Sequence, residues 1–304
     1  MKNKIALIGC GIWGQNILKE LVNLDAEVYV YESDLNFREK LLVLGAKSVQ
    51  KGFPAANDNF DGVIISTPSS THREILVRII DLNLPVFLEK PLTTNLEDAR
   101  ALASIPTDDI YLMHIWLYHP GIIILKEIAQ SGELGKVFGV RSTRANWTSP
   151  RKDTDSAWNL LPHDITIAKA ILGEIPQPKA AITEKHDGII RGMTALLGDE
   201  PYAIFEVSNR YERKIREVRL HCEKGVAILE DEKVEAIKIV HGDAGSDPGN
   251  LKVEKRNFNS TPPLHFEIRE FLDYLNGGEA PRSHFSDGLE VIQTIQQLIE
   301  LAER

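Results

Sequence analysis

The sequence predicts an α/β chain, with a parallel, doubly wound sheet through its first third and a second domain of helices and many strands behind it. Three observations predict it. Short apolar runs alternate with segments of helical periodicity from Lys4 to Met113, the order that a parallel sheet requires. The first run passes directly into Gly9-Cys10-Gly11-Ile12-Trp13-Gly14 and then into a helix. A later run, Val86-Phe87-Leu88, ends on Glu89-Lys90-Pro91. That puts an acid and a base at the carboxyl end of a strand, where open α/β sheets bind ligands.

The totals narrow the function classes. A chain of 304 residues suggests two domains. With 35 Lys and Arg against 44 Asp and Glu, the net charge is −9 and no basic tract occurs, which argues against nucleic acid as a partner. No apolar run reaches the roughly 18 residues of a membrane span. Met1-Lys2-Asn3-Lys4 leads straight into a strand pattern, which is not the build of a signal peptide. Cys10 and Cys222 lie far apart without metal-ligand spacing. They read as reduced thiols of a cytoplasmic protein with no metal site.

In order, Lys4–Ile8 is a buried strand, and Ile17, Leu18, Leu21, Val22 and Leu24 mark the helix after the glycines. Strand, GxGxxG and helix together point to a dinucleotide. Gly9 permits the tight turn, Gly11 lets the backbone approach a pyrophosphate, and Gly14 lets the helix pack on the strand. The helix start, with Ile12 and Trp13 in it, offers N–H groups to phosphate. The second strand, Glu27–Tyr31, ends at Glu32, 18 residues beyond Gly14. An acid about 20 residues on binds the ribose hydroxyls, and a carboxylate there repels the 2′-phosphate of NADP. NAD is therefore the expected cofactor; Ser33 and Arg38 soften the preference, and a solvated acid at a strand end is the plainer alternative.

Leu41–Leu44 finish a helix that Gly45-Ala46 closes. Gly62–Ser66 is a strand ending in the turn residues Thr67-Pro68-Ser69-Ser70-Thr71-His72. A helix through Ile75–Leu82 follows, then Val86–Leu88, a helix over Leu96–Ile105 and a strand over Ile110–Met113. A boundary after residue 118 leaves 119–304 as the second domain. There, 121–131 is an amphipathic helix and Val137–Thr143 a strand. Arg144–Asp155 is a polar loop, either lying over a site or simply solvated. A helix runs from Pro162 to Leu172, with proline at its start. Six strands follow between Lys179 and His241, and the alternation in Ala203–Ser208 suits a sheet with one wet face. Asp243–Asn250 is a loop, and two amphipathic helices close the chain, their apolar stripes read as core.

These pieces resemble the glucose–fructose oxidoreductase, inositol dehydrogenase and rhizopine-catabolism family (Gfo/Idh/MocA). The matching motifs are Gly9-x-Gly11-x-x-Gly14, Thr67-Pro68 with His72, Glu89-Lys90-Pro91, His119-Pro120, Gly132-Glu133-Leu134-Gly135, Trp158 to His163-Asp164, and Asp287-Gly288. The resemblance implies an N-terminal Rossmann domain and a C-terminal α+β domain with a large open-faced, mainly antiparallel sheet. That sheet often joins subunits, so a homodimer or homotetramer through it is expected. A cis Lys90-Pro91 bond is also implied, as are Thr67, Pro68, His72, Glu89 and Lys90 beside the cofactor.

The chemistry implied is hydride transfer between nicotinamide and a secondary alcohol of a sugar, nucleotide sugar or cyclitol. His163 is the candidate general acid/base, with an ordinary pKa near 6.5. Lys90 is the candidate cation for the alkoxide oxygen. Asn159 stands where the family usually carries Asp, on the same helical face as His163. Leu117 replaces a common Arg, and the strand near Ile115 ends without the polar residue often found there. An amide at 159 holds a hydroxyl but no charge. This keeps open a second reading, a non-catalytic dinucleotide-binding sensor on the same fold.

Overall fold

The computed structural model describes residues 2–147 and 154–304. They form two compact units, Met1–His114 with Leu264–Ile292, and Ile115–Pro263 with Gln293–Arg304.

In the first unit, β1 (Lys4–Ile8), α1 (Ile12–Asn23), β2 (Glu27–Tyr31), α2 (Arg38–Val43) and β3 (Ser48–Gln50) precede β4 (Gly62–Ile65). Then come α3 (His72–Ile79), β5 (Val86–Glu89), α4 (Leu96–Leu102) and β6 (Ile110–Met113). The strands lie in the order β3-β2-β1-β4-β5-β6, all parallel. β4 and β6 are buried throughout, which is why they read as unbroken apolar runs. The order reverses between β1 and β4, and a crevice at such a reversal is where doubly wound sheets bind ligands. β3 was not expected. It is a three-residue edge strand whose single apolar residue, Val49, gives no periodicity to read. α4 ends at Leu102, short of the expected Ile105; Asn95 caps its start by accepting the Asp98 N–H at 2.8 Å.

The second unit begins with α5 (Pro120–Ser131), β7 (Val137–Ala145) and α6 (Ser156–Leu172). The strands β8 (Pro178–His186), β9 (Ile189–Leu197), β10 (Tyr202–Ser208), β11 (Ile215–Cys222), β12 (Gly225–Leu229), β13 (Ala236–His241) and β14 (Lys252–Asn257) follow. They form one sheet with β7, ordered β14-β13-β12-β11-β7-β10-β9-β8. Only the β7–β10 pair is parallel. Val140, Val218, Leu220, Ile237 and Ile239 on one face pack with Leu125, Ile128, Ile167 and Ile171 of α5 and α6. Elsewhere the sheet leaves Ile182 71% and Leu196 39% exposed. β14 was missed because Lys-Val-Glu-Lys-Arg-Asn is an edge strand with little to bury. Two further helices, α7 (Pro263–Leu275) and α8 (Phe285–Ala302), end the chain.

Two expectations in this unit need correction. α6 starts at Ser156, not Pro162, because the Asp155 carboxylate accepts the Trp158 N–H at 3.1 Å and caps it there. Pro162 sits inside the helix, held by a stretch buried from Leu160 to Pro162. Arg144 belongs to β7, not to a loop. It is buried, donates to Asp164 through Nε (2.9 Å) and Nη2 (3.2 Å), and lies 4.4 Å over the Trp116 ring. Pro150, Arg151 and Lys152 of the expected loop fall outside the described residues. No helix among the described residues is long and apolar enough to cross a membrane.

Removing one member of a buried bidentate pair strands the other's charge, which costs about 3–5 kcal/mol, whereas replacing both by apolar residues is far milder. Urea unfolding of Arg144→Ala is expected to show a loss of that size, and Arg144→Met/Asp164→Leu a much smaller one. Equal losses would mean that the pair is not what stabilises this face of α6.

Candidate active site

The glycine turn is shaped by how little room it leaves. A Cβ on Gly14 would lie 2.7 Å from the Gly9 carbonyl oxygen and 2.6 Å from Ser66 Oγ, and Ser66 Oγ itself donates to that carbonyl at 2.7 Å. Gly9 has φ +80°, and a Cβ there would meet Thr67 at 2.6 Å. A Cβ on Gly11, by contrast, would meet nothing within 4 Å. Gly11 is the N-cap of α1, no side chain caps it among the described residues, and no acid sits in the first turn. Ile12 and Trp13 follow, 85% and 40% exposed. Backbone N–H groups, a helix dipole and open space at Gly11 together suit a pyrophosphate.

Glu32 is pinned beside this turn. Its Oε2 accepts the Cys10 N–H at 2.7 Å, and its Oε1 accepts from the Asp34 N–H (3.0 Å) and the Ser33 hydroxyl (3.1 Å). An acid at the position where such folds hold the ribose hydroxyls is thus fixed in place by the turn itself. Ser33, a residue that could have favoured a 2′-phosphate, donates its hydroxyl proton to Glu32. Burial and the nearby Glu32 charge push the Cys10 thiol up to about 12, and burial pushes Cys222 up to about 11.

At the end of β5, Glu89 ties the start of α1 to the Lys90 turn. Trp13 Nε1 donates to its Oε1, and the Lys90 N–H donates to its Oε2 at 3.1 Å. The Lys90-Pro91 bond is cis. His72 is fully buried, with Nδ1 2.9 Å from the Pro91 carbonyl and Nε2 3.2 Å from the Thr67 carbonyl. It ties the loop after β4 to the loop after β5. The Thr71 hydroxyl donates to the Pro68 carbonyl at 2.7 Å and closes the Thr67-Pro68 turn. The glycines, Glu32, Thr67, Pro68, His72, Glu89 and Lys90 therefore share one unit and the carboxyl edge of one sheet.

Asn159 and His163 stand one turn apart on α6, half-exposed where their neighbours Trp158, Leu160–Pro162 and Asp164 are buried. Asp164 faces inward to Arg144 and is structural. His119 accepts the Gly121 N–H on Nδ1 (3.1 Å), so its proton is on Nε2, which donates to the Glu232 carbonyl at 3.2 Å. Burial lowers its pKa, and it serves as the neutral N-cap of α5.

Two polar residues escaped the sequence reading. β6 ends at Met113, and the buried His114 follows it, with Nδ1 2.7 Å from Ser283 Oγ. A polar side chain thus directly follows the strand; a histidine after Ile-Tyr-Leu-Met was the available signal. The other is Glu267, fully buried on α7 within an otherwise amphipathic stripe. Among the described residues no three His, Cys, Asp or Glu side chains gather as a metal site.

Residues 3–108 match the family model for Gfo/Idh/MocA, described as an oxidoreductase family with an NAD-binding Rossmann fold. The UDP-N-acetylglucosamine 3-dehydrogenase of Acidithiobacillus ferrooxidans is 25% identical over 94% of this chain and 92% of its own. A crystal structure of that enzyme superposes with a TM-score of 0.83, covering 100% of this chain and 98% of the other, at 20% identity. An inositol 2-dehydrogenase of Mycolicibacterium gilvum is 28% identical over 56% of this chain, a match that spans about half (52%) of that enzyme. Levoglucosan dehydrogenase in complex with NADH superposes with a TM-score of 0.85 over 100% of this chain and 97% of the other, at 14% identity.

With both thiols held neutral and buried, neither forms thiolate at pH 8. Iodoacetamide is expected to leave Cys10 and Cys222 unmodified in the native protein and to label both after unfolding, read by mass spectrometry. Rapid native labelling of Cys10 would contradict the packing of the glycine turn.

Proposed function

We propose that this chain, whose residues 3–108 match the Gfo/Idh/MocA oxidoreductase family model, is an NAD-dependent dehydrogenase acting on a secondary alcohol of a sugar, nucleotide sugar or cyclitol. The observation that carries the reading is the carboxyl edge of the six-stranded sheet. An uncapped helix start, a pinned ribose-binding acid and the Glu89-Lys90 turn occur there in one unit. NAD is preferred because a 2′-phosphate would meet the Glu32 carboxylate, already engaged by three donors. Ile12 and Trp13 lend their N–H groups to phosphate, Thr67 and Pro68 form the adjoining wall, and His72 holds that wall from behind.

In this mechanism His163 takes the proton of the substrate hydroxyl as the carbonyl forms, and returns it in the reverse direction. The role assigned to the Lys90 ammonium is to stabilise negative charge on an alkoxide or carbonyl oxygen. Nicotinamide, when bound, accepts or supplies the hydride. Asn159 orients a substrate hydroxyl through its amide and leaves the proton chemistry to His163. The relatives named dehydrogenases of inositol and of UDP-N-acetylglucosamine support this substrate class. The two buried thiols and the acidic surface suit the cytoplasm. The partner of the exposed Ile182 and Leu196 is a second copy of this chain, giving a dimer or tetramer through the sheet.

Calorimetric titration is expected to give tighter binding of NADH than of NADPH, and a panel of sugars, cyclitols and nucleotide sugars to reveal turnover. Lys90→Ala is expected to keep NADH binding and lose turnover by about 10²-fold or more, the usual scale for removing a transition-state charge stabiliser. Preference for NADPH would overturn the role of Glu32, and unchanged turnover in Lys90→Ala would overturn that of Lys90. For the sheet face, Leu196→Asp is expected to lower the mass seen by sedimentation, and an unchanged mass would place the subunit contact elsewhere.

A further inference from the structure

The register of α7 against the first sheet brings a carboxyl group to the end of β5. Leu275 and Phe271 lie at the start of β4, where a Cβ on Gly62 would meet them at 3.0–3.1 Å. Phe271 stacks on Phe87 at 4.9 Å and 23°. One helical turn before Phe271 is Glu267, and two residues beyond Phe87 is Glu89. α7 thus runs antiparallel to β5 and carries an acid toward the residue that anchors Trp13 and Lys90. Glu267 is 0% exposed, and neither of its carboxyl oxygens has a hydrogen-bond partner among the described residues. The charges that act on it are Glu89 on β5 and Glu270 on its own helix, both negative. Around this cluster, Glu270 is met by Arg282 (2.9 and 3.2 Å), Lys90 follows Glu89, and His265 sits on Glu20 of α1 at 2.7 Å.

We propose that Glu267 is a positioning residue: fully buried beside the half-buried Glu89, it carries the proton of this acid pair, and its neutral form leaves Glu89 as the singly charged anchor of the Lys90 turn. A fully buried carboxyl beside an ionised one cannot itself ionise cheaply, so one proton stays with the pair. The donors decide where. Glu89 receives the Trp13 indole N–H and the Lys90 N–H, both of which favour its charged form. Glu267 receives none, and burial then holds its carboxyl well above the usual range. Loss of that proton would place a second negative charge beside Glu89 and loosen its hold on Trp13 and Lys90. The cofactor would then bind less well. That last consequence rests on the dinucleotide reading given above; the place of the proton does not.

The test uses Glu267→Gln, which copies the shape and charge of the neutral acid. The infrared difference spectrum, parent minus variant at neutral pH, is expected to show the C=O band of a protonated carboxyl. NADH affinity is expected to match the parent within about twofold at pH 7. Above the ionisation of the pair, the parent is expected to lose up to tenfold in affinity per pH unit, the limit for release of one proton, while the variant stays flat. The stability sign agrees: an acid whose pKa is raised by folding contributes less as pH rises from the ordinary carboxyl range toward its folded value. Thermal unfolding should therefore show the variant gaining on the parent with rising pH. Absence of the protonated band, a tenfold loss of NADH affinity in the variant at pH 7, or the same alkaline fall in both proteins would overturn the proposal. If the variant folds poorly, the carboxyl resonances of the ¹³C-glutamate-labelled parent decide instead, since one is expected to titrate well above the ordinary carboxyl range and its absence would overturn the proposal. If the parent binds no NADH at all, the dinucleotide reading fails, and the infrared band still settles the proton.

Discussion

A helix can return alongside the strand it follows only where nothing fills the space between them, and at Gly14 nothing does. The Gly9 carbonyl oxygen lies within 2.7 Å of where a Cβ would stand, and Ser66 Oγ within 2.6 Å. That closeness aims the start of α1 across the carboxyl edge of the sheet and leaves its N–H groups uncapped. Other features of the site lean on the same turn. Glu32 is held by the Cys10 N–H, and Trp13, one residue ahead of Gly14, reaches Glu89. Through Glu89, the glycine turn is physically joined to the turn that carries Lys90.

Buried charge is arranged differently in the two units. In the second, Arg144 and Asp164 neutralise each other in a bidentate pair, with Arg144 lying over the Trp116 ring. Such a pair fixes the rotation of α6 and therefore which of its side chains stay half-exposed, Asn159 and His163 among them. In the first, Glu267 has acids as its charged neighbours. A proton rather than a counter-ion is the economical way to bury such a group. One arrangement sets the geometry of a helix; the other couples a helix from the far end of the chain to the end of β5.

The motifs of the first unit were legible because they are local. Strand, glycine turn and helix follow one another without interruption from Lys4 to Asn23, and Glu89-Lys90 directly ends an apolar run. What sequence reading missed was weakly patterned or set by distant contacts. Ser48–Gln50 and Lys252–Asn257 are edge strands with little apolar surface to announce them. Pro162 looked like a helix start because proline favours that place. A cap at Asp155 and a buried flank moved the start six residues earlier. Arg144 looked like part of a polar loop because its partner, Asp164, lies 20 residues on.

By itself, the sequence determined the alternation of elements, the glycine turn, the acid at Glu32 and the Glu89-Lys90 turn, since each depends on residues within one or two turns of chain. Only the tertiary structure decided that Asp164 pairs inward with Arg144, that His72 joins two loops as a buried strut, and that α7 lies along β5. Those are contacts between segments far apart in the chain, chosen by packing and by the need to satisfy buried polar groups. The character of Glu267 belongs to the second class. A glutamate on an amphipathic helix reads as solvated until the fold shows what covers it.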